Sequence, residues 1–402
     1  MRVRRWVKDV MYGLIIFGIC AVVILAVSVA ADNIVTKHNA VMVSRNVNSN
    51  LDCDETLCQS VDNASISTTG YVNSQENCEG VNAATGIVAD NRKLFSNKKI
   101  VCWGDSITWG LGYDENTYIK SEAGIIDASN WNYPDTLKYY TGMDVYNLGV
   151  CGETSYEIAL RQGGIKMYVE KQVTVKPGKR IQISIVDESG NPVILENFNG
   201  YQSDNQEPEN VVYINDTPFK LEYDNGDLYI SIYDNTVNKS IKLRKGSQVI
   251  TKAAHDISGD VLVIQMGSNG GWDDYEELIE QYKAMIANSG TECYIIIGDT
   301  DNPDESVDSA NYTDSQYIGT DDTMWEAALR EAFGEHFINM RTYLLENALS
   351  ITGLEPTQSD EDDLSQGRVP ETIKYDYTHL NSYGYYAIGY GVYEKGLELG
   401  YW

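Results

Sequence analysis

Basic side chains are scarce in this chain. Its 402 residues carry 30 Lys and Arg against 59 Asp and Glu, a net charge of −29. So acidic a body repels a phosphate backbone, which argues against a nucleic-acid partner. Prolines number only 8 and the 34 glycines follow no strict period, so collagen-like and Pro-rich segments are excluded. Only 4 histidines occur, and no H-E-x-x-H or H-x-H arrangement is among them. The familiar hydrolytic zinc sets are therefore missing, and no metal or cofactor is expected. The 7 cysteines contain no paired C-x-x-C, which removes the zinc-ribbon pattern. The nucleophile elbow G-x-S-x-G is also absent, so an ordinary α/β-hydrolase is disfavoured. What remains is a chain with 43% apolar and 22% charged residues, globular in composition and long enough for two domains and a linker.

Residues 12–31 read YGLIIFGICAVVILAVSVAA, without a charge. That is the length a helix needs to cross roughly 30 Å of hydrocarbon. Arg2, Arg4, Arg5 and Lys8 precede it, opposed only by Asp9. The positive-inside rule therefore predicts a cytoplasmic tail at 1–11, a transmembrane anchor at 12–31 and everything beyond on the outer side of the cell membrane. A cleaved signal peptide is the alternative, with Ser28, Ala30 and Ala31 as small cleavage-site residues and a secreted product. Residues 32–95 are rich in Asn, Ser, Thr, Asp and Gly without strong hydrophobic periodicity. They read as an extracytoplasmic stalk or a small disulfide-pinned module. Cys53, Cys58 and Cys78 fall there, with their pairing open; Cys102 and Cys293 sit in apolar runs and read as buried thiols.

From about residue 96 strands alternate with helical patterns. Lys99–Trp103, Asp144–Asn147, Asp260–Met266, Cys293–Gly298 and His336–Met340 are the five strand candidates. Tyr275, Leu278, Ile279, Tyr282, Met285 and Ile286 predict a helix over 274–288, with Asp273 and Glu276 as its capping box. Helices are also predicted over 322–333, 341–349 and 382–397. Such alternation implies an α/β fold, a parallel sheet with helices on both faces and a site at the strands' C-terminal ends. Between 165 and 259 the alternation gives way to short β-rich runs separated by turn formers such as Asp224-Asn225-Gly226-Asp227. This predicts an antiparallel β domain at 165–259, inserted between the two parts of the α/β domain at 96–164 and 260–402.

Four short blocks follow strand ends or precede the last helix. They are Gly104-Asp105-Ser106-Ile107-Thr108, then 147–154 (NLGVCGET), then Gly267-Ser268-Asn269, and finally Asp376-Tyr377-Thr378-His379. Each alone has an ordinary reading as a turn, a loop or a surface pair. Together they hold the parts an acyl-transfer site requires. A serine hydroxyl needs a base to become a nucleophile, and His379 can serve near neutral pH. Asp376 can hold that imidazole in one tautomer. The backbone N–H groups of Ser106 and Gly152 and the amide of Asn269 can converge on an oxyanion, glycine at 152 permitting close approach. The acidic run Asp360-Glu361-Asp362-Asp363 reads as a solvated loop rather than a calcium site.

In this order the four blocks resemble those of the SGNH (GDSL-type) hydrolases, whose four naming residues correspond here to Ser106, Gly152, Asn269 and His379. Asn381 and Gly384-Tyr385 also resemble the usual continuation. The resemblance implies a flavodoxin-like three-layer α/β/α fold, a five-stranded parallel sheet in the order 2-1-3-4-5, and a serine esterase. In that esterase Ser106, Asp376 and His379 are catalytic, while Ser106, Gly152 and Asn269 form the oxyanion hole. The family includes lipases, thioesterases and carbohydrate esterases. Trp103, Trp109 and Trp272 flank the blocks, and 29 tyrosines suit hydroxyl-rich ligands. Trp109 and Trp272 are accordingly candidate substrate-binding residues, and the expected partner is an acylated carbohydrate, most simply an O-acetyl ester, or another small ester. A lipid or thioester hydrolase, an acyltransferase and a non-catalytic surface-binding protein are the competing readings.

Overall fold

The computed structural model describes residues 98–121, 124–193, 195, 210–309 and 321–402. The predicted tail, anchor and stalk at 1–95, with Cys53, Cys58 and Cys78, lie outside the described residues. Among the described residues no helix is long and apolar enough to cross a membrane.

Five strands form the central sheet: β1 (Lys99–Gly104), β2 (Asp144–Gly149), β3 (Val261–Gln265), β4 (Tyr294–Ile297) and β5 (Phe337–Ile338). They pair in parallel throughout, in the order β2-β1-β3-β4-β5. That is the 2-1-3-4-5 order the resemblance implied. Six helices cover it: α1 (Tyr133–Thr141), α2 (Ser155–Gln162), α3 (Tyr275–Ser289), α4 (Met324–Phe333), α5 (Met340–Thr352) and α6 (Ser382–Glu398).

Alternation along β1 and β3 assigns their side chains to two cores. Ile100, Cys102, Val261 and Val263 pack on one face with Leu137 of α1, Leu344 of α5 and Ile388 of α6. Val101, Trp103, Leu262 and Ile264 pack on the other with Ile158 of α2, Tyr282 of α3 and Leu329 of α4. Both faces are dry, which is why these strands read as unbroken apolar runs.

Local chemistry sets where the helices start. Asn132, Thr154 and Thr323 cap α1, α2 and α4, each in a reciprocal box with an acidic residue three positions on. The start of α3 is one residue later than expected. Asp274, not Asp273, accepts the N–H of Glu277 at 2.9 Å, and the N–H of Asp273 donates to the Glu277 carboxylate at 2.8 Å. Two adjacent aspartates followed by two glutamates satisfy either register, and packing of Leu278 and Tyr282 chose this one. Strand β5 is shorter than predicted because a 3₁₀ turn holds Gly334–His336 and Asn339 already caps α5.

Two further expectations are corrected. The acidic run at 360–363 is not a loop: it lies in a helix, Gln358–Ser365. Asp360 is fully buried there and bonds Thr357 and Thr372, so it serves as part of the helix cap, while Glu361 and Asp362 remain exposed. Cys293 is only half-buried, whereas Cys102 is wholly inside.

The β-rich stretch forms a seven-stranded antiparallel sheet. Two of its strands, Met167–Val169 and Gln248–Thr251, were not singled out from sequence. Ile181–Ile183 and Ile185–Asp187 occupy opposite edges of the strand order although only Ser184 separates them. The sheet must therefore curl back on itself, barrel-like, around Phe219, Leu221, Ile230 and Val212. Leu160 and Tyr156 of α2 pack against this core, so α2 serves both sheets.

Leu137 is completely buried between α1 and the central sheet. The Leu137→Ala variant should lose about 2–5 kcal/mol of stability, the usual range for a Leu-to-Ala core truncation. Urea unfolding monitored by tryptophan fluorescence measures it; a loss below about 1 kcal/mol would show that this face is not close-packed.

Candidate active site

Strand β1 ends at Gly104, and a single helical turn, Ser106–Trp109, begins two residues later. The junction is tight. A Cβ at residue 104 would stand 2.1 Å from Thr108 Oγ1 and 2.3 Å from the carbonyl oxygen of Gln265. Only glycine lets the turn fold back over the strand end. Asp105 caps the turn, its Oδ1 accepting the N–H of Ile107 at 2.9 Å. Ser106 is thereby held at the rim with 6% of its surface exposed.

The loop after β2 lies against this turn. The N–H of Val150 donates to the Gly104 carbonyl at 3.0 Å. Gly152 has φ +78°, which side-chain-bearing residues rarely adopt, and, its chain neighbours aside, no atom of the described residues lies within 4 Å of where its Cβ would stand. The space above it is open. Neither the Ser106 nor the Gly152 main-chain N–H has an acceptor among the described residues.

The loop after β3 is stitched to the same place. The Ser155 N–H and hydroxyl both donate to the Gly270 carbonyl, at 3.0 and 3.1 Å. Asn269 is exposed, and its Nδ2 donates to the Glu153 carbonyl at 3.1 Å. A primary amide has two N–H donors, so one is left to face the open space.

The fourth block is a tight loop closed by the Tyr375 N–H, which donates to the His379 carbonyl at 2.8 Å. Asp376 Oδ1 accepts the N–H groups of Thr378 and His379 at 2.9 and 2.7 Å. Its Oδ2 lies 2.9 Å from His379 Nδ1. His379 Nε2 in turn lies 2.9 Å from Ser106 Oγ. An ionised carboxylate can only accept, so Nδ1 carries the proton and donates to Asp376. Nε2 is then the acceptor, and the Ser106 hydroxyl donates to it. Burial alone would raise the Asp376 carboxyl; the His379 N–H, the imidazole and the Thr378 N–H outweigh it and hold its pKa below the ordinary range. The carboxylate therefore stays charged throughout the pH range in which histidine titrates.

The structure thus joins Ser106, His379 and Asp376 in one hydrogen-bonded line and brings the Gly152 and Asn269 loops together beside it. Trp109 ends the Ser106 turn, half-buried, with its ring 6.0 Å from that of exposed Tyr113. Trp272 is engaged differently. Its N–H donates to the Gly267 carbonyl at 3.0 Å, and its ring packs 5.4 Å from Trp325 and 5.7 Å from Tyr275. Trp103 is core. Cys151, beside Gly152, is exposed, but partial burial and then the Asp105 charge push its thiol up to about 11, which keeps it protonated at neutral pH.

Sequence reading missed the charged support beneath these loops. Arg161 of α2 is fully buried, and its Nε donates to both Glu153 carboxylate oxygens at 2.9 and 2.8 Å. Its Nη2 reaches the Gly104 carbonyl at 3.3 Å, and its guanidinium lies 4.9 Å from the Trp103 ring centre. One side chain thus ties the end of β1 to the loop carrying Gly152. The eight-residue separation of Glu153 and Arg161 matches no helical contact spacing, so pattern alone does not reveal the pair. Under the third loop, Ser268 Oγ donates to buried Asp299 at 2.8 Å. Asn381 Oδ1 accepts the Tyr383 and Gly384 N–H groups, and the Tyr385 hydroxyl donates to the Leu111 carbonyl at 2.5 Å. The residues after the His379 block therefore brace the loop that follows the serine.

Asp105 is fully buried, and its Oδ2 has no hydrogen-bond partner among the described residues. Burial first, then the charges of Asp299 and Glu153, push its pKa up to about 7. An unfolded aspartate ionises near ~3.9, so between about pH 4 and about pH 7 the folded chain binds the extra proton. Asp105 accordingly contributes a stability that falls as pH rises through that window and levels off above it. Asp105→Asn keeps the Oδ1 acceptor and cannot ionise. Its melting temperature should fall less steeply than the wild type's over the window, and identical slopes would contradict the assignment. Arg161→Met strands a buried carboxylate and should cost about 3–5 kcal/mol in urea unfolding. Lys283→Met removes an exposed pair with Glu280 and should cost less than about 1 kcal/mol.

No protein-family model matches this chain, and no curated protein matches it either. Among solved structures, it is similar to a "putative lipolytic protein of G-D-S-L family" from Desulfitobacterium hafniense DCB-2, covering 74% of this chain and 99% of that one, at 11% identity and a TM-score of 0.34. A superposition that loose leaves the reading of the site to its own geometry.

Proposed function

We propose that this chain is a serine ester hydrolase of the SGNH (GDSL-type) kind, with Ser106 as nucleophile, His379 as general base and acid, and Asp376 as the group that orients and stabilises the imidazole. The observation that carries this reading is the line from Asp376 Oδ2 through His379 to Ser106 Oγ, with both hydrogen bonds at 2.9 Å. That separation is within direct proton-transfer reach.

As Ser106 Oγ attacks the ester carbonyl carbon, its proton passes to His379 Nε2 and the carbonyl electron pair moves onto oxygen. The N–H groups of Ser106 and Gly152 and the free amide N–H of Asn269 receive that oxyanion. Collapse breaks the bond to the alcohol, which leaves with the proton from His379. Water then attacks the acyl-serine, again giving its proton to His379. The acid departs and the serine is restored.

The substrate we propose is an O-acetyl ester on a carbohydrate. The half-buried Trp109 ring beside exposed Tyr113 supports a rim able to stack on sugar; Trp272 is committed to Trp325. The basic residues before the apolar stretch at 12–31 support a catalytic part held outside the cell membrane.

Ser106→Ala should lower turnover of p-nitrophenyl acetate by about 10⁴–10⁶, the range of nucleophile knockouts in triad enzymes. Asn269→Ala should lower it by about 10²–10³, as for one oxyanion donor. Undiminished hydrolysis by Ser106→Ala would end the nucleophile assignment. A preference for acyl chains of eight carbons or more would overturn the acetyl reading.

A further inference from the structure

The block that supplies Asp376 and His379 also forms one wall of a second feature. A cleft of about 370 Å³ opens behind the triad acid, lined by Asn302, Glu305, Arg368, Lys374 and Tyr375–Tyr377. Tyr375 and Tyr377 bracket Asp376 and are 62% and 69% exposed, among the most exposed large side chains described. Rings so open to water are available to stack on a ligand.

The charges of the cleft are committed to one another. Arg368 Nη1 bonds Asp304 at 2.7 Å and its Nη2 bonds Glu305 at 3.3 Å. Lys374 Nζ bonds Glu305 at 3.2 Å. Asn302 Oδ1 accepts the Val369 N–H at 2.9 Å, and its Nδ2 donates to Glu305 at 2.7 Å. Among the described residues, Asp363 and Glu371 complete a lining of four carboxylates, Asp376 included, against two cations. A carboxylated or phosphorylated ligand would meet net repulsion and no spare cation. What the walls offer outward is carboxylate acceptors, tyrosine hydroxyls and two aromatic faces. Acceptors suit hydroxyl donors, and aromatic faces suit the C–H faces of sugar rings.

The loop after the Ser106 turn lies against the Tyr375 side of this cleft. A Cβ on Gly112, in the loop after the Ser106 turn, would stand 2.6 Å from the Tyr375 side chain. Tyr113 is next to it, with the Trp109 ring 6.0 Å beyond. A chain of sugars with its ester at Ser106 would thus meet Trp109 and Tyr113 on the serine loop and Tyr375 on the cleft side packed against that loop.

We propose that this cleft is a glycan subsite, in which Tyr375 and Tyr377 hold an uncharged, hydroxyl-rich oligosaccharide several units from the ester that Ser106 cleaves. The inference rests on the ester-hydrolase reading and adds to it the charge class of the glycan and the residues that select it. Tyr377 acts on binding and stands outside the proton relay, so its loss falls on KM for long substrates.

The test uses the wild-type chain, Tyr377→Ala, Tyr377→Phe and Ser106→Ala. Each is assayed for acetate release from partly O-acetylated xylan oligosaccharides (neutral) and O-acetylated polygalacturonate oligosaccharides (anionic), and on p-nitrophenyl acetate. The wild type should show at least tenfold higher kcat/KM on the neutral pool than on the anionic one. Tyr377→Ala should raise KM on the neutral pool by roughly three- to tenfold, the scale of one aromatic stacking contact. Its loss on p-nitrophenyl acetate should be no more than about threefold on the same scale, and Tyr377→Phe should restore most of the KM. An anionic preference, no turnover of the neutral pool, or equal effects of Tyr377→Ala on long and short substrates would overturn the subsite. If Ser106→Ala abolishes p-nitrophenyl acetate hydrolysis while these results go against the subsite, the esterase reading stands and this inference alone falls. Retained hydrolysis in Ser106→Ala removes the reading itself.

Discussion

The hydrogen bond between His379 Nε2 and Ser106 Oγ spans 273 positions of sequence. It can form only because the five strands run in parallel, so that every strand delivers its following loop to the same rim. An antiparallel sheet would send alternate loops to the opposite edge. The parallel arrangement in turn demands helices on both faces, which the two separate cores provide. The chemistry at the rim thus depends on apolar packing far below it.

Above that packing the rim is held by charge and by main-chain bonds more than by hydrophobic contact. Arg161 neutralises Glu153 and grips the end of β1, so the loop with Gly152 is fixed relative to the Ser106 turn. Burial raises the Glu153 carboxyl, and the Arg161 charge offsets part of that rise. Asp105 has no cation among the causes of its shift; in Asp301 burial and the Asp299 charge outweigh the Lys374 charge and push the carboxyl up to about 9. Two classes of buried carboxyl therefore lie within one loop layer. One is paired with a buried guanidinium, a strong but costly brace. The other is pushed by burial toward its protonated form, which reduces the negative charge stacked beneath an oxyanion.

The second sheet meets this layer through α2. Thr251 ends its strand Gln248–Thr251, and the Thr251 hydroxyl donates to the Arg161 carbonyl at 2.6 Å. Leu160 of the same helix packs into the curled sheet while Ile158 and Ala159 pack under the parallel one. A short helix with two buried faces makes the two sheets mechanically continuous at the residue that braces the site.

Much of this was legible before any coordinates. The apolar runs at 99–103 and 260–266 announced strands buried on both faces, and the spacing from Tyr275 to Ile286 announced α3, because period and burial follow directly from side-chain order. The glycine at 104 and the four blocks were visible for the same reason, each acting on its immediate neighbours, whereas the one cap expected, at Asp273, lies one residue before the true one at Asp274. The helical state of 358–365 was not legible, since its acidic composition argues for solvent until Thr372, distant in sequence, supplies a partner for Asp360. Nor was the pairing of Glu153 with Arg161, the closing of the β-rich sheet across Ser184, or the diversion of Trp272 onto Trp325. By itself the amino-acid order determined which elements form and which side chains carry reactive groups, because propensity, periodicity and capping are properties of adjacent residues. Which of those groups meet, and which carboxyls are pushed toward their protonated form, was decided only by the tertiary structure, because through-space electrostatics and burial depend on where distant segments come to rest.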